Sequence, residues 1–360
     1  MESFACKTKI ISGMGAVSAL KELGARRLFV VTDPYFYQNG KARQVAESSG
    51  AEQIAYFHEV TPDPTVSLAA RGTAQLKQFA PDALVALGGG SAMDCAKAMA
   101  YFSGIRVPLV AIPTTSGSGS EVTDFAILTH EGVKHPLVDG ALRPTMAILD
   151  GALVETLPAG LVADGGFDVL THALEAYTAT GAGGFSDILA AEAFATVYAL
   201  LPASFGGDKT VRLRIHRAST MAGLSFTHAG LGLCHAMAHS LGGAFHIPHG
   251  RLNAILLPAV MDCNAYAAGE KYARLAQLAG IGGSAKTVAV RNLKNALIRL
   301  RRELGMPGTL AEAGVKPSQV WLRQKELVTA ALADPCCKTN PVPVEEFMVR
   351  KILEAVTGHG

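Results

Sequence analysis

The sequence predicts an α/β domain with a doubly wound parallel sheet, followed by an all-α domain, and three observations carry that expectation. Over the first 150 residues, short apolar runs bounded by glycine alternate with amphipathic stretches of helical period. From about Leu157 onward, long Ala/Leu-rich helical periods take over and β-branched runs become scarce. The length, 360 residues, suits two domains of about 150 residues each.

RRLFVVTD (Arg26 to Asp33) reads as an apolar strand with a polar end. After a helical stretch, EQIAYFHEV is extended and VSLAARGTAQLKQF is a helix. DALVALGGG (Asp82 to Gly90) is a buried strand running straight into the helix SAMDCAKAMAYF, and VPLVAIPTT (Val107 to Thr115) is the next strand. Apolar strands separated by helices indicate a parallel sheet covered on both faces. MAILD (Met146 to Asp150) closes this part. The helical region then breaks at TGAGG (180–184), SFGGD (204–208) and GMPG (305–308). The expected domains are residues 1–155 and 156–360.

Composition narrows the function. Apolar residues make up 49% and charged residues 17%, so the chain can bury large cores and is not disordered. Lys plus Arg (32) nearly balances Asp plus Glu (30), with no concentrated basic run, which argues against nucleic acid as a partner. The longest nearly apolar stretch, Leu189 to Phe205, carries Glu192 and Pro202 and is shorter than the ~20 residues of a membrane span. The start, MESFACKTKII, lacks the basic-then-apolar layout of a signal peptide. Six cysteines, two of them adjacent at Cys336 and Cys337, do not form a disulfide framework. A cytoplasmic enzyme is the expectation.

Two loops have the chemistry to hold a phosphorylated ligand. In GGGSAMDCAK, Gly88, Gly89 and Gly90 sit between a strand and a helix start, where the backbone can approach a ligand and helix N–H groups face an anion. Ser91 and Asp94 have the spacing of a capping box, in which Asp94 reaches back to the Ser91 N–H. Three glycines alone also suit a tight βα turn. PTTSGSGSEVTD (Pro113 to Asp124) offers hydroxyls and glycines for a ribose or phosphate, or is a flexible surface loop. The strand end at Asp33 lacks the Gly-x-Gly-x-x-Gly fingerprint. Its carboxylate could accept from a ribose diol and repel a 2′-phosphate, or serve as a solvated turn residue before Pro34.

Five of the 11 histidines fall between positions 228 and 249. In GLGLCHAMAHSLGGAFHIPHG, His235 and His239 are four apart on one helix face, and His249 follows in a loop. In FDVLTHALEAYTA, Asp168 and His172 are again four apart. A single such pair is ordinary in a helical core; two pairs and a loop histidine point to a divalent metal. An aspartate with three histidines suits a first-row metal in four-coordinate geometry, with intrinsic affinity favouring Zn2+ over Fe2+ and cellular availability deciding. Cys234, about 100° around the helix from His235, reads as a buried structural thiol.

On GGGSAMDCAK, PTTSGSGSEVT, FDVLTHALEAY and GLGLCHAMAHSLGGAFHIPHG, the chain resembles the iron-containing (group III) alcohol dehydrogenases over essentially its whole length. Within the family it is most similar to the 1-propanol dehydrogenases of propanediol-utilisation microcompartments and to butanol dehydrogenases, through TPDPT (61–65), HALEAY and TNP (339–341). The resemblance implies a dehydroquinate synthase-like fold, with an N-terminal domain binding NAD(H) and a helical domain binding metal and substrate. It implies pyrophosphate on the Gly88–Ser91 turn beside Asp94, and Asp33 near the adenosine ribose. Thr114, Thr115, Ser118 and Thr123 would line the cofactor crevice, and Lys134 would approach the nicotinamide ribose. It assigns the metal, Fe2+ or alternatively Zn2+, to Asp168, His172, His235 and His249, and leaves His239 beside the reacting centre as the catalytic histidine. The chain departs from the family pattern at Gly165 and Phe167 in ADGGFD. It departs again at Asn340-Pro341-Val342, where an arginine usually follows the proline.

The implied activity is reversible hydride transfer between NAD(H) and a short-chain primary alcohol or aldehyde by a homodimer, cytoplasmic or inside a bacterial microcompartment. A zinc-dependent glycerol-type polyol dehydrogenase shares the fold and chemistry. A sugar-phosphate cyclase of the same fold would need several lysines and arginines around the metal, and the segments flanking these ligands are nearly devoid of them. A non-enzymatic, shell-associated scaffold would leave both cofactor loops unexplained.

Overall fold

The computed structural model describes residues 3–358. The chain divides into two compact units, Ala5–Leu157 and Pro158–Gly360, with Phe4 belonging to the second. The outermost residues of the expected domains, 1–2 and 359–360, lie outside the described residues.

The first unit contains strands β1 (Lys9–Gly13), β2 (Arg27–Val31), β3 (Gln53–Phe57), β4 (Ala83–Gly88), β5 (Leu109–Pro113), β6 (Phe125–His130), β7 (Val133–Val138) and β8 (Met146–Asp150). Between and after them run helices α1 (Pro34–Gln38), α2 (Lys41–Glu47), α3 (Val66–Phe79), α4 (Gly90–Ser103) and the short α5 (Gly151–Val154). Six strands form one sheet in the order β1-β8-β5-β4-β2-β3, with every pair parallel. The sheet is the parallel one the sequence predicts. Because side chains alternate across a strand, β2 sends Leu28 and Val30 to one face and Phe29 and Val31 to the other. The first face packs on Leu20, Val45 and Ala46; the second packs on Leu68, Leu76, Met93, Ala96 and Met99. Burial on both faces explains why β4 is apolar throughout.

Three strands escaped the sequence reading. The edge strand β1 lies in the short segment KIISG, and its pairing with β8 connects residues about 140 positions apart. β6 and β7 form a separate antiparallel hairpin, turned by Glu131 and Gly132 at φ 49° and 77°. Such positive φ values at both turn positions suit a tight hairpin.

The second unit is helical: α6 (Ala159–Thr178), α7 (Gly184–Phe205), α8 (Arg212–Ala229), α9 (Leu233–Phe245), α10 (His249–Leu278), α11 (Lys286–Glu303), α12 (Pro317–Leu322), α13 (Gln324–Ala333) and α14 (Glu346–Thr357). α6 is buried at nearly every position from Val162 to Thr178 and packs on α7, α8 and α10. The apolar stretch expected to be too short for a membrane is longer than the sequence suggested. α7 begins at Gly184, runs 22 residues, and is long and apolar enough to cross a membrane by length and composition. It packs against α6 and α8 and turns Phe194, Val197 and Leu201 inward.

Candidate active site

The first unit brings together the glycine turn, Asp33 and the loop after β5. Gly88 adopts φ 151°, and a β-carbon there would stand 2.6 Å from Cβ of Ala92 and 3.6 Å from Oδ2 of Asp33. A β-carbon on Gly89 would meet Oγ1 of Thr115 at 3.3 Å, and one on Gly90 would meet Cβ of Ser118 at 3.1 Å. Glycine is thus required at Gly88, while the side chains of Thr115 and Ser118 crowd Gly89 and Gly90 where α4 starts. Thr114 is buried, its N–H donating to the Gly88 carbonyl at 3.0 Å. Asp33 caps α1, accepting from the Phe36 N–H at 2.9 Å. Lys134 on β7 pairs with Asp63 at 2.7 Å.

The capping box expected from Ser91 and Asp94 does not form. α4 starts at Gly90 with Gly89 as its cap and no side-chain cap bond, so Ser91 is already inside the helix. Asp94 instead turns inward, accepting from Oγ of Ser120 at 2.9 Å and from the Ile127 N–H at 3.2 Å. Beside it Lys97, 1% exposed, donates to Ser120 Oγ, Thr123 Oγ1 and the Phe125 carbonyl at 2.9, 3.0 and 2.7 Å. Burial brings the Lys97 pKa down to about 8 despite the nearby carboxylates. Thr123, which is buried, and Asp94, which is half-buried, therefore brace the loop from within through Ser120 and Lys97.

The second unit gathers the histidines. Asp168 and His172 come from α6, His235 and His239 from α9, and His249 opens α10. Oδ1 of Asp168 lies 3.7 Å from Nε2 of His235 and 3.5 Å from Nε2 of His249, and one donor atom from each of the three lies within 4.8 Å of the others. A tetrahedral metal about 2.1 Å from each ligand would set its donors about 3.4 Å apart, so this spacing fits a divalent cation. Burial favours a neutral Asp168, but His172, His249 and His235 outweigh it and hold the carboxyl well below the usual carboxylate range.

His172 stands apart from the other expected ligands. Its Nδ1 is 3.8 Å from Asp168, but its ring is stacked between Phe226 and His235 at centroid distances of 4.5 and 4.4 Å. It falls outside the group of three donors. His239 is also outside that group; its Nδ1 is 2.8 Å from Oδ2 of Asp334.

The sequence reading missed three residues that organise this cluster. Glu175, 3% exposed, accepts from the N–H groups of Gly232 and Cys234 at 3.0 and 2.7 Å and from Nδ1 of His235 at 2.6 Å. It thus caps α9 and aims Nε2 of His235 toward Asp168. Burial alone would lower the His235 pKa, but hydrogen bonds to Asp168 and Glu175 raise it to about 9. Asn253 donates its amide to Asp168 Oδ1 at 2.9 Å, and its Oδ1 is 3.7 Å from the buried Cys234 thiol. Asn340 adds a second cap, accepting from the Leu233 N–H at 3.1 Å while its amide donates to the Val342 carbonyl at 2.8 Å. Glu175 lies seven residues after Asp168, two turns along the same helix, which was the only sequence signal for it.

Close backbone approach also sets the geometry. A β-carbon on Gly250 would overlap the carbonyl oxygen of Asp164, so α10 can enter beside α6 only with glycine at this position. Arg251 clamps the same junction through both oxygens of Asp164, at 3.2 and 3.0 Å.

Comparison with known proteins agrees with this architecture. Residues 7–151 match the iron-containing alcohol dehydrogenase family model, and residues 162–357 match the C-terminal model of the Fe-containing alcohol dehydrogenase family. The 1-propanol dehydrogenase PduQ of Citrobacter freundii is 39% identical over 98% of this chain and 99% of its own. An NADPH-dependent butanol dehydrogenase of Clostridium saccharobutylicum is 35% identical over 99% and 98%. Among solved structures, the iron-containing alcohol dehydrogenase of Thermococcus thioreducens superposes with a TM-score of 0.91 at 33% identity, covering 99% of this chain and 100% of that one. Sulfoacetaldehyde reductase of Bifidobacterium kashiwanohense, in complex with NAD+, gives 0.89 at 26% identity, with both chains fully covered. The chain belongs to the iron-containing alcohol dehydrogenase family and is a metal-dependent alcohol dehydrogenase.

Proposed function

We propose that this enzyme transfers a hydride reversibly between NAD(H) and a short-chain primary alcohol or aldehyde, such as propanol and propanal, with Fe2+ as the resident metal and Zn2+ as the alternative. The observation that carries the metal assignment is the convergence of His235 and His249 on one carboxylate oxygen of Asp168 at 3.7 and 3.5 Å. His172 is the proposed fourth ligand, supported by its place one turn from Asp168 and by the family resemblance. When bound, the cation supplies a Lewis acid for the substrate oxygen and the nicotinamide supplies the hydride.

The residues of this chain supply the rest. Glu175 and Asn253 keep His235 and Asp168 in their donor orientations. The uncapped start of α4, with Gly88, Gly89, Gly90 and Ser91, suits a pyrophosphate, and Thr114, Thr115 and Ser118 sit on the adjoining loop. Asp33 beside Gly88 favours NAD(H) over a cofactor carrying a 2′-phosphate, unlike the NADPH-dependent relative. Lys134 is retained as the nicotinamide-ribose residue on resemblance alone. His239 is the proposed carrier of the proton exchanged with the substrate oxygen.

Chain-length selectivity should be shallow, because each methylene is worth about 0.8 kcal/mol in an apolar pocket. Aldehyde reduction, a homodimer, and a cytoplasmic or microcompartment location are the direction, assembly and setting that the resemblance supports. Arg251, engaged by Asp164, is unavailable for the phosphate of a sugar-phosphate cyclase, which speaks against that reading. The decisive experiment is anaerobic purification with metal analysis, followed by NADH oxidation across aldehydes of increasing length and glycerol oxidation as the control. Turnover restricted to glycerol would replace the proposal with a polyol dehydrogenase.

A further inference from the structure

His239 is held from two sides. Its Nδ1 is 2.8 Å from Oδ2 of Asp334, and its ring lies nearly parallel to that of His249, 5.2 Å away at 16°. The other oxygen of Asp334 accepts from the Cys336 N–H at 2.8 Å, where Asp334 caps the 3-10 turn Pro335–Thr339 at the end of α13. α13 is itself strapped along α9: Ser240 Oγ donates to the Leu327 carbonyl at 2.9 Å, and Arg323 Nη1 to the Ala244 carbonyl at 2.7 Å. The carboxylate therefore cannot swing away from the imidazole without breaking a cap and a helix contact.

We propose that Asp334 is the positioning residue of the catalytic site. It fixes the proton of neutral His239 on Nδ1 and leaves Nε2 as the atom that exchanges a proton with the reacting oxygen. The inference rests on the reading of His239 as the proton carrier. Both oxygens of Asp334 are accepting, so the group between Asp334 and His239 must be an N–H of the ring. Burial would raise the Asp334 pKa, but the hydrogen bonds from His239 and Cys336 hold it at about 2, so it stays ionised at working pH. The side chain of His239 is 20% exposed, which lets solvent restore the proton it gives up. In aldehyde reduction the carbonyl carbon gains the hydride and its oxygen takes the proton from Nε2 of the imidazolium. The N–H electron pair stays on Nε2, leaving the neutral Nδ1–H form; alcohol oxidation is the reverse.

Asp334→Asn tests this without changing shape. An amide has one accepting oxygen for two donors. If that oxygen keeps the Cys336 N–H, the NH2 group faces His239 and forces the ring proton onto Nε2. We expect kcat to fall about 10²-fold, bounded by the 10²–10⁴-fold loss from removing the imidazole in His239→Ala. The double variant should be no slower than His239→Ala, because Asp334 acts through that ring. In metal-free protein at alkaline pH, 15N spectra of labelled histidine, assigned through His239→Ala, should show His239 with its proton on Nδ1, moving to Nε2 in Asp334→Asn.

A purely capping Asp334 predicts near-normal kcat for Asp334→Asn, and that result overturns the proposal. Additive losses in the double variant do the same, as does a wild-type ring protonated on Nε2, which is measurable even if the variant folds poorly. Wild-type kcat in His239→Ala would instead remove the underlying proton-carrier reading.

Discussion

Replacing Glu175 with Gln should weaken both the fold of the helical unit and its hold on metal. The carboxylate accepts from Gly232 N–H and His235 Nδ1 on one oxygen and from Cys234 N–H on the other. An amide can satisfy only one side. With its oxygen toward His235, the Cys234 N–H faces another N–H donor in a site that water does not reach. An orphaned buried donor costs about 1–3 kcal/mol. Loss of the negative charge at the start of α9 adds about 1–2 kcal/mol. At roughly 2–4 °C per kcal/mol for a unit of this size, metal-free Glu175→Gln should melt about 5–15 °C below wild type. His235 would also lose its ionised partner, which should weaken metal binding about 10–100-fold. Calorimetry on chelated protein reads the first effect, and titration with Fe2+ or Zn2+ followed by dialysis and metal analysis reads the second. A variant that melts within 2 °C of wild type and retains metal equally would show that Glu175 neither caps α9 nor orients His235.

His249→Ala removes one of the converging donors; turnover should vanish while NADH binding, measured by fluorescence, is largely kept, and full activity after chelation would sink the ligand assignment. Gly250→Ala should separate α10 from α6, costing about 1–3 kcal/mol or more and lowering metal content together with stability; an unchanged denaturation midpoint would refute the close-approach argument. Asp33→Gly should raise kcat/KM for NADPH and lower it for NADH, and an unchanged preference would leave Asp33 as an ordinary helix cap. The pH dependence of the metal-free protein has a defined sign. His235 is raised from 6.5 to about 9 in the folded state, so its stabilisation is complete below pH 6.5 and is lost as pH rises through 9. Asp168 is depressed below its ordinary 3.8, so its contribution is present above that pH and lost under acid. Denaturation with chelator between pH 5 and 9.5 should therefore show falling stability on the alkaline side. Added metal should reverse that trend, because it binds the neutral imidazole; a flat profile without metal would count against the His235–Glu175–Asp168 coupling.

The sequence by itself determined the features that are local. α3 runs from Val66 to Phe79 as the periodicity predicts, started by the Thr65 hydroxyl accepting from the Leu68 N–H. β4 is legible because a strand buried on both faces must be apolar along its whole length. The i, i+4 spacings of Asp168 with His172 and His235 with His239 follow from 3.6 residues per turn. Tertiary structure decided which of those groups meet. The partners of His235 and His239 lie 60 and 95 residues away in the chain, and helix packing alone brings Glu175 and Asp334 to them. The same packing stacks the His172 ring against both Phe226 and His235. It also draws Asp94 into the Lys97 network in place of the capping box its spacing suggested. A short spacing fixes the direction of a side chain on its own helix. The atom it finally touches depends on how neighbouring helices cross, and that is set by the whole core.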